Sequence, residues 1–214
     1  MEILYFDNLN STHLFLVDAI KNSKVKAPIA VVANSQSGGV GSGKNSWISL
    51  DGNLFLSFGV KISDLSDDLP LNSASIYFAF ILKEYLNELG SKVWIKWPND
   101  FYISDKKVGG LITKFINDEV LICSIGLNIK SSPKEFAKLD IELDRDSLID
   151  NYLSKLDKKI SWKYIFSKFE IEFNRSKDYF YMDSKLKKRV SISGAILQED
   201  GSIIVDNRKV YSLR

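Results

Sequence analysis

The sequence predicts an α+β fold: a mixed, antiparallel-rich sheet packed with helices. Three observations carry this. Apolar, β-branched runs recur between Ile29 and Ile129. The turns between the runs from Val93 to Ile129 are too short for helical crossovers, which antiparallel neighbours allow and parallel ones do not. Apolar residues at helical spacing fill three other regions, before, between and after these runs. At 214 residues the chain can hold one large domain, or one domain with a small appendage.

Each element has its own signal. Asn10-Ser11-Thr12 offers N-cap side chains to a short helix carrying Leu14, Phe15, Val17 and Ala19. Ile29 to Ala33 reads as a buried strand, and the glycine- and serine-rich stretch from Ser35 to Asn45 as a long loop. Strand character resumes from Asn53 to Val60. Asn72-Ser73 can cap a helix running to Leu89, with Gly90 where a terminating glycine belongs. Its apolar residues cover most faces, so a central, buried position is expected. Val93–Trp97, Phe101–Ile103, Val108–Phe115 and Val120–Ile129 read as a meander of strands, with a turn at Asn117-Asp118. Helices follow over Asp146–Leu156 and Ser161–Asp178; the second sets Trp162, Ile165, Phe166, Phe169 and Phe173 on one core-facing stripe. The basic stretch Lys185, Lys187, Lys188, Arg189 reads as a linker or, alternatively, a docking patch. Short strands with a turn at Asp200-Gly201 complete the chain, too few residues for a core of their own.

Composition excludes several classes. With 29 basic and 27 acidic residues the net charge is +2, no global signature of a nucleic-acid binder. One cysteine, Cys123, excludes an intramolecular disulfide, and one histidine beside it leaves too few ligands for a structural zinc site. Cys123 sits in an apolar strand and reads as inert core. The apolar run from Leu69 to Leu82 falls short of the about 20 residues a membrane helix needs. No signal-peptide pattern opens the sequence. The expectation is a cytoplasmic protein with no membrane partner.

Two segments carry chemistry. Gly38-x-x-x-x-Gly43-Lys44-Asn45 comes near a phosphate-binding P-loop, but Asn45 replaces the magnesium-binding hydroxyl and no helix follows. A surface connection and a mobile loop closing over an anionic ligand are the other readings. The second segment is Lys96-Trp97-Pro98-Asn99-Asp100, followed by Lys107-Val108-Gly109-Gly110. Proline pushes Trp97 toward extended backbone, and Asn99-Asp100 favours a turn, so a strand with a sharp corner is expected. Two glycines in the returning strand suit a close approach by ligand or backbone. A solvated surface hairpin is the plainer alternative.

With these residues in view, the chain resembles the biotin protein ligases, in the family's order, from Leu9 to Leu213. Ser11-Thr12 looks like the Ser-Thr element of the catalytic domain. Gln36, Gly39, Gly41 and Trp47 fall in register with the family's Gln-x-x-Gly-Arg-Gly-x-x-Gly-x-x-Trp segment. Lys96-Trp97-Pro98-Asn99-Asp100 is a complete copy of its most specific motif, and Lys107 matches the lysine of the Lys-x-x-Gly continuation. Gly126-Leu127-Asn128 and Ser212-Leu213-Arg214 look like its Gly-Ile-Asn and Ser-Leu-Arg elements.

The resemblance implies a class II synthetase-like catalytic domain over residues 1–182 and a reduced, SH3-like C-terminal subdomain over 183–214. It implies ATP and biotin as substrates with Mg2+, and biotinyl-5′-AMP as intermediate. A biotin carboxyl carrier protein domain of a biotin-dependent carboxylase would be the acceptor. Ser11, Thr12, Gln36 and Gly39 would bind biotin. Lys107, with Asp100, would be catalytic and lie at the biotin carboxylate. Gly41, Ser42, Lys44, Trp47, Asn128 and Arg214 would contact ATP or the adenylate; the metal ligands are left unassigned, and Lys96 would be structural or electrostatic.

The sequence also departs from the family. The arginines usual in the glycine loop fall at Val40 and Ser42, which lack a guanidinium's fork of donors, and Lys44 lies two residues beyond. His13 stands where asparagine is usual, and reads as structural because no triad partner is near in the sequence. The short stretch before Leu9 implies no DNA-binding domain and no repressor role. A lipoate–protein ligase and a non-catalytic biotin sensor are the rival readings. The oligomeric state, monomer or homodimer, is left open.

Overall fold

The computed structural model describes residues 1–43, 45–183 and 188–211. Strand β1 (Glu2–Leu9) leads through helix α1 (Thr12–Lys21) to β2 (Ile29–Gln36). A two-stranded ribbon follows, β3 (Gly39–Val40) with β4 (Ser46–Trp47), and then β5 (Leu54–Lys61). Helix α2 (Ala74–Glu88) precedes the meander β6 (Trp94–Lys96), β7 (Asp100–Ile103), β8 (Lys106–Ile116) and β9 (Val120–Leu127). Helices α3 (Arg145–Leu156) and α4 (Trp162–Phe173) come next. Short strands end the described chain: β10 (Phe180–Asp183), β11 (Lys188–Ser191), β12 (Ile196–Leu197), β13 (Ile203–Val205) and β14 (Arg208–Val210).

Seven strands form the main sheet in the order β1-β2-β5-β9-β8-β7-β6. Every neighbour pair from β2 to β6 is antiparallel, as the short turns predict. The three-residue β8–β9 turn, between the paired Ile116 and Val120, has Asn117 and Asp118 at φ 51° and 54°, a left-handed conformation that Asn and Asp tolerate. Strand β1 is an addition to the sequence reading. It lies parallel to β2, with α1 as the crossover, and makes the sheet mixed. Its side chains alternate poorly between buried and exposed because it is an edge strand, so periodicity did not mark it.

The caps act as the sequence suggests for α1, where the Ser11 hydroxyl accepts from the Leu14 N–H. Gly90, at φ +98°, closes the end of α2. Ten residues of α2 are buried, and together with α3 and α4 it covers one face of the sheet. Trp162, Phe169 and Phe173 lie in that core, as does Cys123, whose thiol burial pushes well up. Helix α1 covers the other face only in part, packing Leu16 and Val17 on Ile29, Val31, Ile116 and Ile122. The bare strip left on that face is where the candidate site forms.

Two expectations need correction. The 35–45 segment is not all loop: Ser35 and Gln36 extend β2, and Gly39–Val40 pairs with Ser46–Trp47 because the chain doubles back over the sheet. Lys188 and Arg189 are not linker; they open β11, which pairs with β10, and the Arg189 guanidinium stacks over Phe180. Lys185 and Lys187 lie outside the described residues.

The C-terminal strands share the main core through Val190, Ile192, Ala195, Ile203 and Val205. One turn fastens them. Its successive carbonyls, Glu199, Asp200 and Gly201, accept from Trp162 Nε1 at 2.8 Å, Ser73 Oγ at 2.5 Å and Trp97 Nε1 at 3.0 Å. Trp97 is completely buried, and its backbone N–H donates to Ser176 Oγ at 2.9 Å. Trp97→Phe leaves the Gly201 carbonyl buried without its donor, so unfolding free energy in urea should fall by about 1–3 kcal/mol. A loss within experimental error would show that this bond does not fasten the C-terminal turn.

Candidate active site

The strip that α1 leaves uncovered carries small or polar side chains. Ser57 of β5 pairs with Ser124 of β9, Ser124 with Ile112 of β8, and Gly126 with Gly110. Such positions alternate along each strand, so Gly110/Gly126 and Ile112/Ser124 stand about 7 Å apart along the sheet. The start of α1, Gln36 and the β3–β4 ribbon wall this floor into a cleft. The cleft is lined by Ser11, Thr12, His13, Gln36, Gly41, Ser42, Trp47, Asp100 and Lys107, with apolar patches from Val40, Leu111, Ile112 and Ile125.

At the Gly110 step lies a charged cluster. Asp100 takes Lys107 Nζ on one carboxylate oxygen at 2.6 Å and Lys96 Nζ on the other at 3.3 Å. Burial would raise the Asp100 carboxyl, but the Lys107 and Lys96 ammonium groups outweigh it and hold it below the usual carboxylate range. Lys107 lines the cleft, while Lys96 is buried against the other carboxylate oxygen. A β-bulge makes the arrangement possible. Phe101 pairs with Gly109 but Tyr102 with Lys107, so Val108 is the extra residue. The bulge turns Val108 into the core and Lys107 onto the cleft face beside Gly110.

The glycines fit this crowding. A Cβ on Gly110 would sit 3.2 Å from Asp100 Oδ1, and one on Gly126 would meet the Trp47 indole at 2.5 Å. A Cβ on Gly109 would strike the Gly126 carbonyl at 2.8 Å, a close approach of backbone rather than ligand. The Asn99 side-chain amide donates to the Leu111 carbonyl, which pins the corner against β8.

At the Ser124 step lies a neutral polar cluster. Gln36 Oε1 accepts from the Thr12 N–H at 2.8 Å and from the Thr12 hydroxyl at 3.2 Å. Ser57 Oγ lies 2.9 Å from Thr12 Oγ1 and 2.8 Å from Ser124 Oγ, and His13 Nδ1 lies 2.8 Å from Ser124 Oγ. Burial pushes the His13 imidazole down to about 4, helped by Lys114, so it is neutral near pH 7.

Eight of the expected residues meet in this cleft: Ser11, Thr12, Gln36, Gly41, Ser42, Trp47, Asp100 and Lys107. Gly39 lies beside it, in β3, near Gln36 Nε2. Asn128 does not line it: its amide donates to the Ala137 carbonyl, and Asn53 binds the loop after β9 alongside it. Lys44 and Arg214 lie outside the described residues. Sequence reading missed Ser57 and Ser124. Their signal was present, since each is the lone hydroxyl in an otherwise apolar strand segment. Among the described residues no three His, Cys, Asp or Glu side chains cluster as a metal site. Both Asp100 oxygens are paired with lysines, so this donor set does not make a resident magnesium cage.

The neutral state of His13 has a stability consequence. Unfolded, its imidazole takes a proton as pH falls through about 6.5, while folded it stays neutral to about 4, so stability is lost across that window. Urea unfolding from about pH 7 to pH 4 should cost wild type up to about 3 kcal/mol more than His13→Asn. Parallel curves would contradict the burial of a neutral imidazole.

Comparison with known proteins agrees with this geometry. The signature of the Biotin/lipoate A/B protein ligase family matches residues 5–129. Over 143 residues the chain is 31% identical to the bifunctional ligase/repressor BirA of Bacillus subtilis (strain 168), covering 63% of this chain and 42% of that protein. The chain thus spans less than half the length of that relative. The fold superposes with a TM-score of 0.93 on biotin acetyl coenzyme A carboxylase synthetase from Helicobacter pylori, solved with bound biotinylated ATP. That protein is 37% identical, and the match covers 98% of this chain and 99% of that one. Biotin protein ligase from Aquifex aeolicus, in complex with biotin and ATP, shares the fold with a TM-score of 0.73 at 22% identity, over 100% of this chain and 96% of that one. The chain belongs to the Biotin/lipoate A/B protein ligase family, among its biotin protein ligases.

Proposed function

We propose that this protein is an ATP-dependent ligase that attaches biotin to a lysine of a biotin carboxyl carrier protein domain. In the first half-reaction an oxygen of the biotin carboxylate bonds to the α-phosphorus of ATP. The bond to the β-phosphate breaks and pyrophosphate leaves. In the second, the carrier lysine amine bonds to the acyl carbon of biotinyl-5′-AMP, and AMP departs.

The observation that carries this reading is the pairing of two unlike clusters in one cleft, about 7 Å apart along the sheet. The Lys107 ammonium meets the carboxylate and the α-phosphate, offsets their mutual repulsion and stabilises the charge that develops during transfer. Asp100 holds Lys107 in place. Ser11, Thr12 and Gln36, beside Gly39, take the ureido group at the neutral end. Trp47 stacks on adenine; Gly41, Ser42, Lys44 and Arg214 serve the nucleotide, and Asn128 does so through the loop after β9 that its amide holds. Magnesium arrives with the ATP phosphates as part of the substrate. Residues 1–182 act as the catalytic domain and 183–214 as its reduced C-terminal subdomain. The hydrogen-bonding end favours biotin over lipoate, whose disulfide ring offers no comparable donor or acceptor.

Pyrophosphate–ATP exchange tests this. Exchange should require biotin, and Lys107→Ala should lower its rate by about 10²–10³-fold. Exchange driven by lipoate would move the assignment to lipoate ligation. Biotin binding with no exchange would identify a sensor.

A further inference from the structure

Four contacts link His13 to the mouth of the cleft: His13 Nδ1 to Ser124 Oγ, 2.8 Å; Ser124 Oγ to Ser57 Oγ, 2.8 Å; Ser57 Oγ to Thr12 Oγ1, 2.9 Å; Thr12 Oγ1 to Gln36 Oε1, 3.2 Å. Each contact holds one proton, and the three hydroxyls supply three. Gln36 Oε1 is fixed as an acceptor, because the Thr12 N–H donates to it at 2.8 Å. The Thr12 hydroxyl therefore donates to Gln36, Ser57 to Thr12, and Ser124 to Ser57. The fourth proton must come from His13 Nδ1. With the proton on Nε2 instead, one contact would set two lone pairs face to face among buried groups, at the cost of an unmade hydrogen bond.

We infer that His13 is a positioning residue: as its Nδ1–H tautomer it completes the hydroxyl chain that holds the Thr12 hydroxyl on Gln36 Oε1 and so steadies the side chains at the neutral end of the cleft. Its neutral state agrees, since a neutral imidazole carries a single ring proton to place. With Oε1 engaged, the Gln36 amide nitrogen is the group left to donate, matched to a ligand that brings a carbonyl oxygen, such as a cyclic urea. The inference rests on the biotin reading above.

The test is a double-mutant cycle on the whole chain, read as the biotin dissociation constant by calorimetry and the KM for ATP in the exchange assay. His13→Phe should weaken biotin binding about tenfold and leave the KM for ATP unchanged. His13→Asn, whose side-chain amide can donate from the same δ position, should stay within about threefold of wild type. Ser57→Ala cuts the chain, so adding His13→Phe to it should cost nothing further. His13→Leu serves in place of His13→Phe if the latter does not fold by thermal unfolding. The inference is overturned if His13→Phe binds like wild type, if His13→Asn is as weak as His13→Phe, or if the two losses multiply. Wild type that binds biotin but shows no exchange refutes the ligase reading alone. Wild type that binds no biotin refutes both.

Discussion

The carboxylate of Asp100, held between Lys96 and Lys107, is the interaction on which the site depends. Its three members come from three consecutive strands, so it can form only if the corner after β6, the short β6–β7 hairpin and the bulge in β8 are all in place. A single lysine against this partly buried carboxylate would give a neutral pair. The second holds the other oxygen, so the carboxylate stays ionised and fixed in place. Removing Asp100 strands two like charges in a partly desolvated place, which is strongly destabilising as a rule. Gly110 is bare for the same reason, because a side chain there would crowd the pair.

The corner that presents Asp100 on one side presents Trp97 on the other. Trp97 enters the core and reaches the carbonyl of Gly201, whose turn is also held by Trp162 and Ser73. Active-site corner, helical core and C-terminal strands are therefore mechanically continuous. The five-residue motif combines two physical roles: Asp100 lines the cleft with Lys96 bound to it, while Trp97 and Asn99 fix the chain that carries them.

The meander, the buried helix α2 and the serine cap of α1 were legible because periodicity, turn residues and caps are local signals. The resemblance to biotin ligases was legible for another reason: ordered motifs mark chemistry even where the fold is unknown. What stayed hidden depends on pairing between distant segments. The bulge that turns Lys107 toward Asp100 exists only once β7 meets β8. The hydroxyl chain from His13 through Ser124 and Ser57 joins residues more than a hundred positions apart, so His13 had no visible partner. Strand β1 was missed because an edge position blurs its alternation. Asn128 adds a contact that its motif match did not reveal, since its amide binds the loop that follows β9.

A crystal structure of the protein with biotin and a non-hydrolysable ATP analogue would test the central claim most directly. The account expects the Lys107 ammonium within about 3.2 Å of a biotin carboxylate or α-phosphate oxygen, with Lys96 still paired to Asp100 and the ureido group at Gln36. A ligand carboxylate bound elsewhere, with Lys107 held to Asp100 alone, would contradict it.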